Sequence, residues 1–571
     1  MRASLGIRDS RPLWHRARLC AVLILVLWAY PGAAPSVWAV ARTCGADAVA
    51  NTANVLCASP SGPCTGTAVT LGANLEVTSG GCDFDLGNRS LTIDKTLQMT
   101  GLGFVTVRNA TNIIMTATGK LKARGDFVKP NGYPIQGGTI ALTGSGAITL
   151  SGVVDVSGDS AGRVLITAGG TVTLASGSVI QGNGLTVNAL NGSSDGAFIS
   201  MQSLAGAVVV SDKITATGTS NGLGGGIRLV AAKSVSLDGT LDASGGEEDG
   251  GDVTVIAGDD ISITKGITVD SAGGGGYGGA IDLRAGVDGL GGVVTGGGIT
   301  VTGVDLRLNG STSGGSGGDG GDLSMRAHGP IQLTGVGVGI HANAGVGSDA
   351  DGGSIYLDAN GDGDIRTISA LDGDVRVDGV IVAQSGGNAG AGGSVELIAG
   401  KALTLNATTT VTGEDDGGDI LGEAGGAATV DGTLSAQATH ATGTGGNADV
   451  SAGAAQNAGL TVTKDITVAS GTSGTIAEGV RSIFLSACAL TVGSGVKLDA
   501  RGGPTDGALI QLVARQPMQL NSNAQFLASS GGTIDTVHPP GQNPIIGSGV
   551  AFTPARHDVP TTAYGYARCG Q

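Results

Sequence analysis

Aromatic side chains are scarce in this chain: three Trp, six Tyr and seven Phe among 571 residues. Charge is thin as well, at 14% of residues, and unbalanced, with 31 Lys and Arg against 47 Asp and Glu for a formal net charge of −16. A nucleic-acid binder needs basic stripes and stacking rings, and an acidic, ring-poor chain offers neither, so nucleic acid is excluded as a partner. After residue 41 no apolar run approaches the ~20 residues a membrane-spanning helix requires. No GxSxG, HExxH or P-loop is present, which removes the commonest signatures of serine hydrolases, zinc proteases and nucleotide-binding enzymes.

Glycine fills the space these absences leave: 107 residues, almost a fifth of the chain. It has no strict three-residue period, so collagen is excluded. Gly costs roughly 0.5–1 kcal/mol per residue inside regular structure, which assigns it to corners and loops. Between the glycines, Val, Ile and Leu recur at every second position. The stretch 250–279, GGDVTVIAGDDISITKGITVDSAGGGGYGG, shows the unit most clearly. It holds three alternating runs, Val253/Val255, Ile261/Ile263 and Ile267/Val269, and period-2 alternation places these branched side chains on one face of a strand.

One such unit cannot bury its own apolar face, but stacked copies bury each other's. Alternating runs that follow a GG or its equivalent begin at Gly137, Ala161, Asp195, Gly225, Gly250, Gly278, Gly320, Gly352, Gly392, Gly445 and Asp506, with degenerate copies near Gly425 and Gly474. Their spacing runs from 24 residues (137 to 161) to 42 (278 to 320). Each unit closes on an aliphatic residue, a small residue and then glycines, as in LDASGG at 241–246, IHANAG at 340–345, IVAQSGG at 381–387 and LDARGG at 498–503. Equal strands with variable loops predict an all-β, parallel β-helix of roughly 13–16 coils. At ~4.8 Å per coil it is a rod on the order of 75 Å long. Its open ends call for caps.

The chain divides accordingly. Residues 1–41 read as a secretory signal: five arginines up to Arg18, an apolar run from about Leu19 to Tyr30, and an Ala39-Val40-Ala41 cleavage site. Its removal near Ala41 takes the formal charge from −16 to −20, since those residues hold five Arg and one Asp. Export to the periplasm, the cell surface or the medium follows, with no membrane span in the mature chain. Residues 42–64 form a Cys-rich N-terminal cap, 65–534 the β-helix, and 535–571, where Pro, His and Tyr return, the C-terminal cap or tail. Cys44, Cys57, Cys64 and Cys82 are disulfide candidates in an exported protein, with three pairings open. Cys488, in the apolar run SIFLSACAL, reads as a buried free thiol, with a Cys488–Cys569 bond as the alternative.

The repeated pattern GGxIxLxA…VxLxGxLxAxGG over about 65–530 resembles right-handed parallel β-helix proteins of the filamentous-haemagglutinin and autotransporter-passenger type. That resemblance implies the right-handed coil and the role of a secreted or surface-displayed adhesin or structural rod. Its partners would be a polysaccharide or the surface of a host or neighbouring cell. Two departures stand beside it: there is no NPNL-type motif near the mature start, and residues 535–571 lack the regular ~10-residue alternating strands of an outer-membrane barrel.

The sharpest local constellation is Asp358-Ala-Asn360-Gly-Asp362-Gly-Asp364-Ile365, the opening of a D-x-N-x-D-G calcium loop. Asp358, Asn360, Asp362 and Asp364 are its candidate metal ligands and Ca2+ the candidate cofactor. The match fails at Arg366 and Ser369, where an EF-hand needs its later ligands. Gly317–Met325 partly fits a calcium-binding nonapeptide, with Ser324 in place of its large apolar residue. Glu247, Glu248, Asp249 and Asp252, and Glu414, Asp415, Asp416 and Asp419, form acidic loops whose plain reading is solvated tips. The alternative function is a polysaccharide lyase or glycoside hydrolase. Asp259-Asp260, Asp415-Asp416 and His328-Gly329 match fragments of a polygalacturonase pattern, without its NTD and RIK portions. No catalytic residue is assigned and the expectation is a non-enzyme. The long loops at 271–280, 309–322 and 413–427 are the expected contact surfaces.

Overall fold

The computed structural model describes residues 68–71, 74–77, 81–100, 103–125, 136–184, 194–287, 296–311, 317–346, 349–360, 372–387, 389–453, 457–471, 482–502, 508–529 and 531–560. The expected signal 1–41 and N-terminal cap 42–64 lie outside them. The chain divides into two units, residues 1–42 and 43–571.

The second unit is a right-handed parallel β-helix. The stretch 250–279 supplies the plan of one coil. Its three alternating runs are the strands Asp252–Ala257, Ile261–Ile263 and Ile267–Thr268. Each pairs in parallel with its equivalents before and after: Val253 with Ile227 and Ile281, Ile261 with Val235 and Ile299, Ile267 with Leu241 and Leu306. These pairings define three ladders running the length of the rod.

Sixteen complete coils stack among the described residues. The first two are built on the long strands Gly81–Ile93 and Phe104–Met115, each of which serves the first two ladders at once. Fourteen three-strand coils follow, from the one opening at Thr139 to the one opening at Thr533. The number meets the sequence expectation. Coil length ranges from 22 residues (Asp535 to His557) to 42 (Ala280 to Asp322), read off the register. The first-ladder strands keep five or six residues through all fourteen, so insertions fall between strands.

The core is a set of columns. In the first ladder Val253, Val255 and Ala257 point inward and are essentially inaccessible. The third column is almost all alanine, running through Ala231, Ala257, Ala285, Ala327, Ala359, Ala399 and Ala424. A small residue there lets the chain bend out of the first ladder. Full burial of each Val, Leu or Ile contributes ~1.5–3 kcal/mol, and every coil repeats it. The glycine pairs mark a second close approach. A Cβ on Gly250 would lie 1.9 Å from the Val269 carbonyl oxygen, and one on Gly251 1.9 Å from that of Gly225.

Side chains staple one corner. Asp249 Oδ1 accepts the Tyr277 N–H at 2.9 Å, Asp319 Oδ1 that of Asp351 at 2.9 Å, and Asp351 Oδ1 that of Ala391 at 2.7 Å. All five residues stand immediately before a GG, so the D-G-G motif carries its own inter-coil bond. Amides and acids do the same beyond the third ladder, where Asn309 donates to Asp270, the Asn343 N–H to Asn309 and the Gln384 N–H to Asn343.

Three expectations are corrected. The coil assigned near Gly425 opens earlier: Gly417-Gly418 precedes the strand Asp419–Ala424, so 413–427 is mostly strand and corner and not a long contact loop. The boundary drawn after residue 534 falls inside the strand Thr533–His538, and parallel pairing continues to His557–Pro560. Thr536 and His538 fill buried inward positions and Val537 an outward one, which hid the alternation. Cys488 is buried but disulfide-bonded, not a free thiol. Cys82 is buried and disulfide-bonded too, while Cys44, Cys57 and Cys64 lie outside the described residues, as does the copy placed near Gly474.

Candidate functional site

The outward positions of the first ladder form three rows along the rod, because alternation puts the first, third and fifth residue of each strand outside. Midway along the rod a polar cluster spans the third- and fifth-position rows. Tyr356 and Asp358 project from the strand Ser354–Ala359, Arg326 from Asp322–Ala327, and Glu396 from Ser394–Ala399. Register aligns Arg326 with Asp358 and Tyr356 with Glu396.

Within this cluster the Tyr356 hydroxyl donates to Asp358 Oδ2 at 2.7 Å, and the Arg326 guanidinium lies 5.4 Å from the Tyr356 ring centroid. A cation over a ring face is an attractive arrangement. Burial, followed by the hydrogen bond to Asp358, pushes the Tyr356 phenol far above its usual range. It stays protonated and a donor at any physiological pH. One coil back, Asp282 and Arg284 pair at 2.6 Å.

Asp358, the first residue of the calcium-loop match, is therefore already engaged. Its Oδ2 accepts from Tyr356 and its Oδ1 from the Asn360 N–H at 2.9 Å, an Asx turn that ends the strand. A cation at Asp358 would share or displace both bonds. Asp362 and Asp364 lie outside the described residues. In the nonapeptide match Asp319 serves the corner staple, Leu323 and Met325 point into the core and Ser324 points outward. Among the described residues no three His, Cys, Asp or Glu side chains are grouped so as to hold a metal ion.

The remaining candidates stay apart. Asp415 lies 3.8 Å from His440, and His341 3.6 Å from Asp305 on another coil. Asp259-Asp260 serves a corner, where Asp260 Oδ1 accepts the Gly298 N–H. In the acidic loop at 247–252, Asp249 is committed to Tyr277, whose side chain is about half exposed (49%). An open depression near Val336 and Val380 is flanked by Asp305 and Asp378, and the latter is paired with Arg376.

Sequence reasoning missed a charged cluster on the last coil. Asp558 accepts hydrogen bonds from Thr536 and Arg556, and His557 Nδ1 stands 3.4 Å from Asp535. These residues are some 20 positions apart and meet only through strand register. Spacing equal to one coil length is the signal that could have found them.

No protein-family model matches the chain, and no curated protein or solved structure matches it either.

Proposed function

We propose that this chain is an exported structural or adhesin-like protein, a rigid rod that presents ordered outward side chains and Gly- and Asp-rich corners to a polysaccharide or to a neighbouring cell's surface. The observation that carries this reading is the register. Fourteen successive coils hold their first-ladder strands to five or six residues, so the outward rows keep one spacing whatever the loops do. Such a lattice of side chains suits a repetitive ligand.

The chemistry of the outer face supports binding over turnover. A glycosidase needs two carboxylates facing each other across a substrate. Here Asp282 is paired with Arg284, Asp358 holds Tyr356 and the Asn360 N–H, and Asp378 is paired with Arg376. Acids used in this way organise a surface and are poorly placed to exchange protons.

Two measurements test the reading together. Fractionation of expressing cells should place the chain outside the cytoplasm, and the purified protein should be retained on polysaccharide-coated beads without releasing soluble product. Reducing-end or unsaturated product from an acidic or neutral polysaccharide would replace this function with that of a lyase or hydrolase.

A further inference from the structure

Most arginines of the described outer surface are tied to a carboxylate: Arg108 to Asp83, Arg284 to Asp282, Arg307 to Asp270, Arg376 to Asp378 and Arg501 to Asp499. Arg163 and Arg228 break the pattern. Among the described residues neither has an acidic group within ion-pair distance. Both project from the first ladder on coils that flank Phe198, with Arg163 its register partner on the preceding strand and Arg228 two residues beyond Gly226, its partner on the following one.

Phe198 itself is unusual for this chain. Large rings are rare here, and one placed at an outward position stays 42% exposed. It leans over Gly226, where a Cβ would come within 3.1 Å of the ring. The bare glycine leaves the ring room over the neighbouring strand. Among the described residues no cation or second ring stacks on it. Leu165, 36% exposed on the preceding strand, extends the apolar floor. Asp252, the register partner of Gly226 one coil on, ends the row with an acceptor.

We infer that Phe198 with Arg163 and Arg228 is a subsite for a carboxylated sugar, a uronate residue of an acidic polysaccharide. The ring offers the flat apolar face that a pyranose C–H surface packs against, and a guanidinium offers the two parallel donors that match a carboxylate. Arg228 is half-buried, and burial holds its guanidinium below the usual range. An incoming carboxylate relieves that cost, because an opposite charge favours the ionised form. The row offers a cation, a ring, a gap and an acceptor at successive coil spacings of ~4.8 Å, which orients a sugar chain along the rod. The subsite rests on the display reading above and names the ligand class for it.

The test is calorimetric titration of the full-length mature protein with two probes, a galacturonate oligomer and an uncharged glucan oligomer of equal length. Saturable binding of the uronate oligomer alone is expected, weakening as salt is raised. Phe198→Ala should weaken it about tenfold. Arg228→Gln should weaken it about tenfold or more and abolish the preference over glucan. Leu204→Ala, at another exposed apolar position, should leave it unchanged. Phe198→Trp, which keeps a stacking face, should retain binding and guard against a folding artefact in the alanine variant. Wild-type protein that binds no uronate oligomer up to millimolar, or binds it equally well with Phe198→Ala, overturns the subsite. Cell location and bead retention are measured independently, so the display reading can stand when this subsite falls.

Discussion

Asp249 Oδ1 accepts the backbone N–H of Tyr277 at 2.9 Å. The two residues are 28 positions apart and equivalent in successive coils, each followed by a glycine pair. A carboxylate that reads as a solvated loop tip is thus a structural tie, and it sets where the half-exposed Tyr277 sits.

Asp249→Ala should lower stability by about 1 kcal/mol, the usual net worth of one hydrogen bond. Amide exchange should quicken at Tyr277 first. Asp249→Asn keeps an acceptor oxygen and should stay near wild type. Equal effects of the two substitutions in hydrogen exchange would show that charge, not the bond, is what matters.

Two glycines should respond differently to alanine. At Gly250 the new methyl meets the Val269 carbonyl oxygen at 1.9 Å, and backbone cannot yield there. Gly250→Ala should cost about 3 kcal/mol or more, in line with forced overpacking. Gly177 has φ +84° with nothing within 4 Å of a Cβ, so Gly177→Ala should cost only about 1 kcal/mol from the left-handed backbone. Thermal melts of both variants rank the effects, and the reverse order would refute the close-approach account.

Ile263 is fully buried between Leu237 and Val301 in the second ladder. Ile263→Ala should cost about 2–5 kcal/mol. Because each coil contacts only its neighbours, protection should fall most between about residues 226 and 307 and survive near the ends of the rod. A uniform loss along the chain, read by hydrogen exchange with mass spectrometry, would contradict local coupling.

Acid should unlock Asp499. Burial opposes its ionisation, but hydrogen bonds from Arg501 and Lys497 outweigh burial and hold the carboxyl below its ordinary 3.8. A carboxylate with a depressed folded pKa adds stability that is present above the unfolded value near 4 and is lost as pH falls through the folded one. Asp499→Asn should therefore be less stable by about 2 kcal/mol at pH 7, with the gap to wild type narrowing below about pH 4. Denaturation midpoints measured at pH 7, 4 and 3 check the sign. A gap that widens on acidification would sink it.

Much of the architecture was legible in the residues. Val253/Val255, Ile261/Ile263 and Ile267/Val269 announced three strands by alternation, and all three form with those side chains inside. Where alternation weakened, the reading slipped. Ile545 and Ile546 form an exposed pair at 60% and 42%, and Asp535 and His557 face outward on adjacent strands. The apolar period fades in that last coil because polar Thr536 and His538 fill inward positions of its first strand.

Local sequence alone determined the repeat, the inward columns and the glycine corners. A two-residue period and a missing Cβ act within a few bonds of where they are written. Tertiary structure decided what meets across coils: Asp249 with Tyr277, Arg326 with Tyr356, Phe198 over Gly226. Those partners lie 28 to 30 residues apart, and loop lengths between strands vary too much for spacing to pair them. Only parallel stacking, which brings equivalent positions into register, sets a ring beside one particular guanidinium.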